Sequence, residues 1–174
     1  MRQLLIACDL HNTLLCSGPA WEQAFVELSG SDEKPIRKAL AEKCSRHLLA
    51  KQLGISYDAV YKRYGELVQI NHGIVSAIAC LQGNYPLVLI SSASRTRVEK
   101  DLQNLDGILS FDHIFTKETF WKNRTQDWDK LRECYGVSRI LYFGNDPSED
   151  ISPAPFVQTV LVPLKGSEER YNED

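Results

Sequence analysis

Residues 3–9 read Gln-Leu-Leu-Ile-Ala-Cys-Asp, an apolar run that ends on an acid, and Leu10, His11, Asn12 and Thr13 follow it. Strands of a parallel sheet covered on both faces read as near-continuous apolar runs. Similar runs recur at 86–91 (PLVLIS) and 138–143 (SRILYF), with a further one at 156–162 (FVQTVLV). Each of the first three runs leads into a polar cluster: DLHNT, SSASRT and GNDPSED. In open α/β sheets ligands bind beyond the carboxyl ends of the strands. Three polar clusters at three strand ends therefore predict one site.

Helical periods separate these runs. Residues 71–81 carry Ile74, Val75, Ile78, Ala79 and Leu81 on one face, and 94–105 carry Val98, Leu102 and Leu105. A third helix is expected over 127–134, with Gly136 as its C-cap. Alternating strands and helices predict an α/β fold with a doubly wound parallel sheet of Rossmann type. Residues 17–70 break the alternation. They show helical patterns over 20–29, 35–52 and 57–70, with Ser56 as a plausible N-cap, and no convincing strand. The expected organisation is an α/β core of residues 1–16 and 71–174 with a small helical cap, 17–70, inserted after the first strand. The plain alternative for 17–70 is a packing layer without a gating role.

At 174 residues, 43% hydrophobic, the chain can bury a core without disulfides or structural metal. A net charge of −3 and scattered Lys and Arg argue against a nucleic-acid partner. Five cysteines without a CxxC pair fit neither a zinc site nor a disulfide framework. Cys8, Cys80 and Cys134 read as small core residues. No apolar run is long enough for a membrane span or a signal peptide, so a cytoplasmic protein is expected. The charged tail, 165–174, is expected to fray.

An acid at the end of an apolar strand is not a core pattern, and carboxylates attack phosphoryl groups as covalent nucleophiles. Asp9 is therefore the candidate nucleophile, against a simple turn-capping role. Ser92 ends the second run, where a hydroxyl and backbone N–H groups at a helix start suit phosphate oxygens. Ser91 and Ser94 are rival placements, and an ordinary N-cap is the alternative. Asp146 and Asp150, four residues apart at the third strand end, can hold a hard cation or merely cap a turn.

In this order, DLHNT, LVLISSAS and ILYFGNDPSED resemble the motifs of the haloacid dehalogenase (HAD)-like hydrolases over residues 3–162. The resemblance implies a Mg²⁺-dependent phosphohydrolase that acts on a small phosphorylated substrate through an aspartyl-phosphate on Asp9. It implies Mg²⁺ bound by Asp9, the backbone carbonyl of His11 and Asp146, with Asp150 a direct or indirect ligand. Asn12 and Thr13 would order the loop. The family's third motif supplies a cation; Lys117, Lys122 and Arg124 are candidates, with Lys122 nearest the expected distance before the helix containing Trp128. The alternative is an exposed surface Lys.

Phosphatases of this family carry a second Asp where this chain has His11. An ordinary His pKa of about 6.5 suits proton transfer near neutrality, so His11 is expected to act as general acid/base. On that reading His11→Asp keeps or raises phosphatase activity. A packing-only His11 would instead fit a weak or inactive relative that binds a phosphorylated ligand or a protein partner. His47 and His113 read as structural, and His72 as a hinge residue. Trp21 could touch substrate but reads first as a packing residue.

Overall fold

The computed structural model describes residues 4–163; the expectation of a frayed tail falls outside them. The chain divides into two compact units, one holding residues up to Leu15 and from Ile70 onward, the other Cys16–Gln69.

The first unit is built on strands β1 (Leu4–Cys8), β4 (Leu87–Ile90), β5 (His113–Phe115), β6 (Arg139–Gly144) and β7 (Val157–Leu161). They form a parallel sheet in the order β5-β4-β1-β6-β7. β1 lies in the middle. The chain builds outward from it to β4 and β5, then returns to add β6 and β7 on the other side. That reversal places the crevice of a doubly wound sheet at the carboxyl end of β1.

The register explains why these residues form strands. Ala7 stands opposite Val88 on one side and Tyr142 on the other. Leu5, Ala7, Val88, Ile90, Ile140 and Tyr142 pack with Phe120, Trp128 and Leu131. The alternate residues Ile6, Cys8, Leu87 and Leu89 are also buried, so both central strands are covered on both faces. Helix α7 (Thr125–Tyr135) supplies Trp128, whose ring meets Phe120 edge-on at 4.9 Å and Tyr142 at 5.2 Å. Gly136 ends α7 at φ 59°, the left-handed conformation that glycine adopts without steric cost. Helices α5 (His72–Leu81) and α6 (Arg95–Leu102) connect the strands on the β4 side, and a 3₁₀ turn (Gln103–Leu105) extends α6.

The second unit is all-helical: α1 (Ser17–Ser29), α2 (Glu33–Ala41), α3 (Arg46–Gln52) and α4 (Tyr57–Leu67). Its core includes Trp21, Phe25, Ile36, Leu49, Val60 and Tyr64. Trp21 is 1% exposed and stacks on Tyr64 at 4.2 Å, which settles it as a packing residue. Ser56 Oγ accepts the Ala59 N–H and caps α4. The chain passes between the units through β2 (Leu15–Cys16) and β3 (Gln69–Ile70), which pair as a two-stranded ribbon.

Four expectations needed correction. The helix expected over 57–70 ends at Leu67, and the stretch 17–70, read as free of strands, holds β3 at Gln69–Ile70. The helix expected over 35–52 is two helices, because Lys43 turns left-handed at φ 57° and ends α2 without a glycine to signal it. β5 is an extra strand. Its three residues are only half-buried or exposed, so no apolar run announces it. Cys80 and Cys134 are exposed, on helices whose buried stripes run through Val75 and Ile78 and through Trp128 and Leu131; only Cys8 lies in the core. No helix among the described residues is long and apolar enough to cross a membrane.

Leu5 is fully buried mid-sheet, whereas Leu28 is 40% exposed. Leu5→Ala is expected to lower unfolding free energy by about 2–5 kcal/mol, and Leu28→Ala to change it by about 0.5 kcal/mol or less. Urea titration of both variants checks this.

Candidate active site

Asp9 directly follows β1, and its N–H donates to the Phe143 carbonyl, which locks the strand end to β6. The loop then folds back tightly. Leu14 and Leu15 donate backbone N–H groups to the Leu10 carbonyl, and Asn12 takes a left-handed φ of 63°. An Asn side chain tolerates that conformation better than most. Asn71, at the start of α5, pins the loop by donating its side-chain amide to the Thr13 carbonyl and its backbone N–H to that of Leu14.

Of the three candidate cations, Lys122 meets Asp9. Its ammonium donates to Asp9 Oδ1 at 2.8 Å and to Asp150 Oδ1 at 2.7 Å. All three side chains are buried, at 6–8% exposure for Asp9 and Lys122 and 2% for Asp150. The turn carrying Lys122 is fastened from below, since Trp128 Nε1 donates to the Lys122 carbonyl at 2.7 Å. Lys117 is exposed, and Arg124 lies over the Trp121 ring at 4.7 Å.

Asp150 is held by four donors. Oδ1 accepts from Lys122 and from the Tyr142 hydroxyl, and Oδ2 from the backbone N–H groups of Asn145 and Asp146. A carboxylate has about four lone-pair sites, and four protein donors occupy them here. Those four contacts brace Asp150 against the end of β6. Gly144 makes room for this brace, because a Cβ there would come within 2.5 Å of the Asp150 Cβ and Cγ.

Asp146 turns Oδ1 onto the N–H and hydroxyl of Ser148, at 2.8 and 2.6 Å. Asp9 Oδ2 accepts no hydrogen bond from a described residue. The described residues contain no group of three or more His, Cys, Asp or Glu that could hold a metal by themselves. A small hard cation needs no such cage, since it binds through one or two carboxylates and keeps waters and substrate phosphate oxygens as its other ligands. One ammonium between two carboxylates also leaves the cluster net negative. The residues present fit a divalent cation on those terms.

His11 is turned toward α6. Its Nε2 donates to Asp101 Oδ2 at 2.7 Å, and Arg97 Nε donates to the same oxygen at 3.3 Å. His11 Nδ1 faces Ser91 Oγ at 3.5 Å, the outer limit of a hydrogen bond. Ser91 is buried and its Oγ accepts the Ala93 N–H, whereas Ser92 is exposed. Ser94 caps the start of α6 by position. His47 stacks on Tyr57, His113 bonds the Tyr135 hydroxyl, and His72 is exposed. Neither Asp101 nor Tyr142 stands out from a motif. Asp101 does carry a signal: it is an acid on the stripe of Val98 and Leu105, three and four residues away.

Burial raises the Asp9 pKa above the ordinary carboxyl value, the charge of Asp150 adds to this, and the Lys122 ammonium opposes it. For Lys122, burial works against the charge, but the two carboxylates outweigh it and hold the pKa above the ordinary lysine value. Both partners shift upward for different reasons: burial raises Asp9, and the two carboxylates raise Lys122. Burial lowers the His11 pKa; the bond to Asp101 opposes this and the Arg97 charge assists it.

These shifts have opposite consequences at neutral pH. Lys122 contributes stability that is fully present below about pH 10.4 and is lost as pH rises through its higher folded value. The raised Asp9 pKa stabilises the fold only below about pH 4, and that contribution is lost as pH rises through the folded value. Ionised Asp9 is thus a liability to stability at pH 7. Asp9→Asn is expected to raise Tm at pH 7 by about 2–4 °C, the span of ~1 kcal/mol for a chain of this size, with the gain shrinking toward pH 4. Thermal unfolding across that range checks it, and a lower Tm at pH 7 would show that pairing with Lys122 outweighs burial.

A scan against protein-family models finds no match, and no curated protein matches the chain. Solved structures do share its fold. A structure described as a β-phosphoglucomutase from Thermotoga maritima superposes with a TM-score of 0.71 at 17% identity, covering 97% of this chain and 90% of that one. A HAD-superfamily hydrolase from Geobacter sulfurreducens gives 0.65 at 19% identity, covering 91% and 86%. A haloacid dehalogenase-like hydrolase from Xanthomonas campestris gives 0.63 at 17% identity, covering 94% and 82%. At these identities the likeness establishes the fold.

Proposed function

We propose that this chain is a Mg²⁺-dependent phosphohydrolase that cleaves a small organophosphate through an aspartyl-phosphate on Asp9. The observation that carries this reading is the seating of Lys122 Nζ between Asp9 and Asp150 at the carboxyl end of a parallel sheet. The shared fold supports it, since structures described as phosphoglycolate phosphatases are among those that superpose.

Asp9 Oδ2, the oxygen not bonded to Lys122, attacks phosphorus in line. The bond to the leaving oxygen breaks with its electron pair, and His11, entering this step as the imidazolium, gives that oxygen its second ring proton and becomes neutral. Water then attacks the aspartyl-phosphate, His11 takes a proton from the water, and the electron pair of the broken P–O bond returns to Asp9. Lys122 holds Oδ1 and so orients the attacking oxygen, while its charge balances that gathered on the transferring group. Ser92 and the N–H groups at the start of α6 bind phosphate oxygens, and Ser91 supports His11 from the strand side. Asp9, the His11 carbonyl and Asp146 are the groups assigned to Mg²⁺, with Asp150 bracing the loop behind them. The cation, when bound, supplies Lewis-acid stabilisation of phosphoryl charge. The all-helical unit is assigned the role of cap because its insertion directly follows the nucleophile loop.

With an aryl phosphate and Mg²⁺, wild-type protein is expected to turn over. Chelation should abolish the activity, and added Mg²⁺ should restore it. Turnover that survives a chelator would remove the metal from the mechanism. Asp9→Asn is expected to show no turnover.

His11→Ala should reduce kcat by roughly 10²-fold or more. An unchanged rate in that variant would exclude His11 from proton transfer. No turnover by wild type across metals and a broad phosphate panel would instead favour a protein that only binds a phosphorylated ligand.

A further inference from the structure

The element that this site has in place of a second aspartate is a pair, His11 with Asp101. We propose that Asp101 is a positioning residue that fixes the orientation and tautomer of His11, so that Nδ1 alone exchanges protons in the reaction. This rests on the phosphohydrolase reading above and deepens it.

An ionised carboxylate oxygen only accepts. At 2.7 Å from Asp101 Oδ2, His11 Nε2 must carry the hydrogen, whatever the charge on the ring. That leaves Nδ1 as the one nitrogen at which His11 can gain or lose a proton. The hydrogen bond made by one ring nitrogen is what selects which nitrogen carries the proton. Nδ1 faces the end of β4, where Ser91 Oγ stands 3.5 Å away, too far to hold the lone pair firmly.

The competing explanation is that Asp101 serves only its own helix, as the i,i+4 partner of Arg97. Exposure and distance count against it. Helical pairs of that kind form on the surface and need no burial, yet Asp101 is 4% exposed on the face that carries Val98 and Leu105. Its bond to His11 is shorter than its bond to Arg97, 2.7 against 3.3 Å. Burying an acid on an apolar stripe is costly unless it is paired and hydrogen-bonded. Arg97 and His11 together meet that requirement, and Arg97 holds the carboxylate in place for the ring.

The pairing also changes what an acid at position 11 would meet. Aspartate there, as in related phosphatases, would bring a second carboxylate toward Asp101. His11→Asp alone is therefore expected to lose activity, contrary to the expectation from the motif. It should recover once Asp101 is made neutral.

The test is a double-mutant cycle on the full-length protein with Mg²⁺ and an aryl phosphate. Asp101→Asn is expected to lower kcat by about 10²-fold or more with little change in KM, because Asn can present an N–H where His11 needs an acceptor. His11→Asp/Asp101→Asn is expected to exceed both single variants in kcat. A merely structural Asp101 would lower the rate equally in either background, and that additivity would overturn the proposal. As a readout independent of turnover, ¹⁵N-histidine NMR should show His11 protonated on Nε2 in the wild type. That preference should be lost in Asp101→Asn, with the His11 signal identified by its absence in His11→Ala. A wild-type ring protonated on Nδ1 alone, or unchanged kcat in Asp101→Asn, would refute the role of Asp101 while leaving the phosphohydrolase reading standing. Absence of turnover in the wild type would sink that reading and, with it, any catalytic use of the dyad.

Discussion

The ammonium of Lys122 lies between two buried carboxylates, and most of the site's construction serves to keep it there. Taking charged groups out of water costs several kcal/mol per ion, and the loss is recovered only with good geometry and further hydrogen bonds. The protein supplies both. Asp150 accepts from Lys122, Tyr142 and two backbone N–H groups. Trp128 anchors the turn that presents Lys122, and Gly144 leaves the space that Asp150 fills. The three charges are not equivalent. Without Lys122, two carboxylates would be buried together without compensation, whereas Asp150 alone would still leave Lys122 paired. The cation is thus the keystone of the fold at this point, and Asp9 is the carboxylate it holds through one oxygen only.

That inequality bears on His11. The cluster of Asp9, Lys122 and Asp150 already has one negative charge more than it has positive. A further acid at position 11 would add to the excess and would also meet Asp101 across the crevice. A neutral or cationic ring avoids both conflicts. Position 11 thus has an environment suited to an imidazole, because Asp101, itself held by the Arg97 N–H, accepts the ring N–H.

Much of this was legible in the sequence because burial on both faces writes strands as apolar runs. β1, β4 and β6 could be read that way, and their carboxyl ends could be matched to polar clusters. Lys122 could be chosen over Lys117 and Arg124 by its distance from Trp128. What could not be read has physical reasons. β5 is three residues at a sheet edge and needs no apolar run. The break between α2 and α3 is made by a left-handed lysine, a conformation that no residue type announces. GNDPSED offers two acids four residues apart, but spacing does not say where their lone pairs go. In the fold Asp150 points inward and is consumed by protein donors, while Asp146 turns onto Ser148. Asp101 was legible only as an acid on an apolar stripe, which marks a buried partner without naming it.

Ser91 and Ser92 show how a strand end divides labour between neighbours. Successive side chains of a strand point to opposite faces, so two adjacent serines leaving β4 cannot both face His11. Ser91 is buried and turns its hydroxyl toward the imidazole, and Ser92 is exposed. A one-residue shift in register would exchange the two roles and break the contact of Ser91 with His11. The register is held because Ser91 donates its backbone N–H to the Phe115 carbonyl of β5. The short edge strand that the sequence concealed therefore decides which of two identical residues faces the histidine and which is left exposed at the strand end.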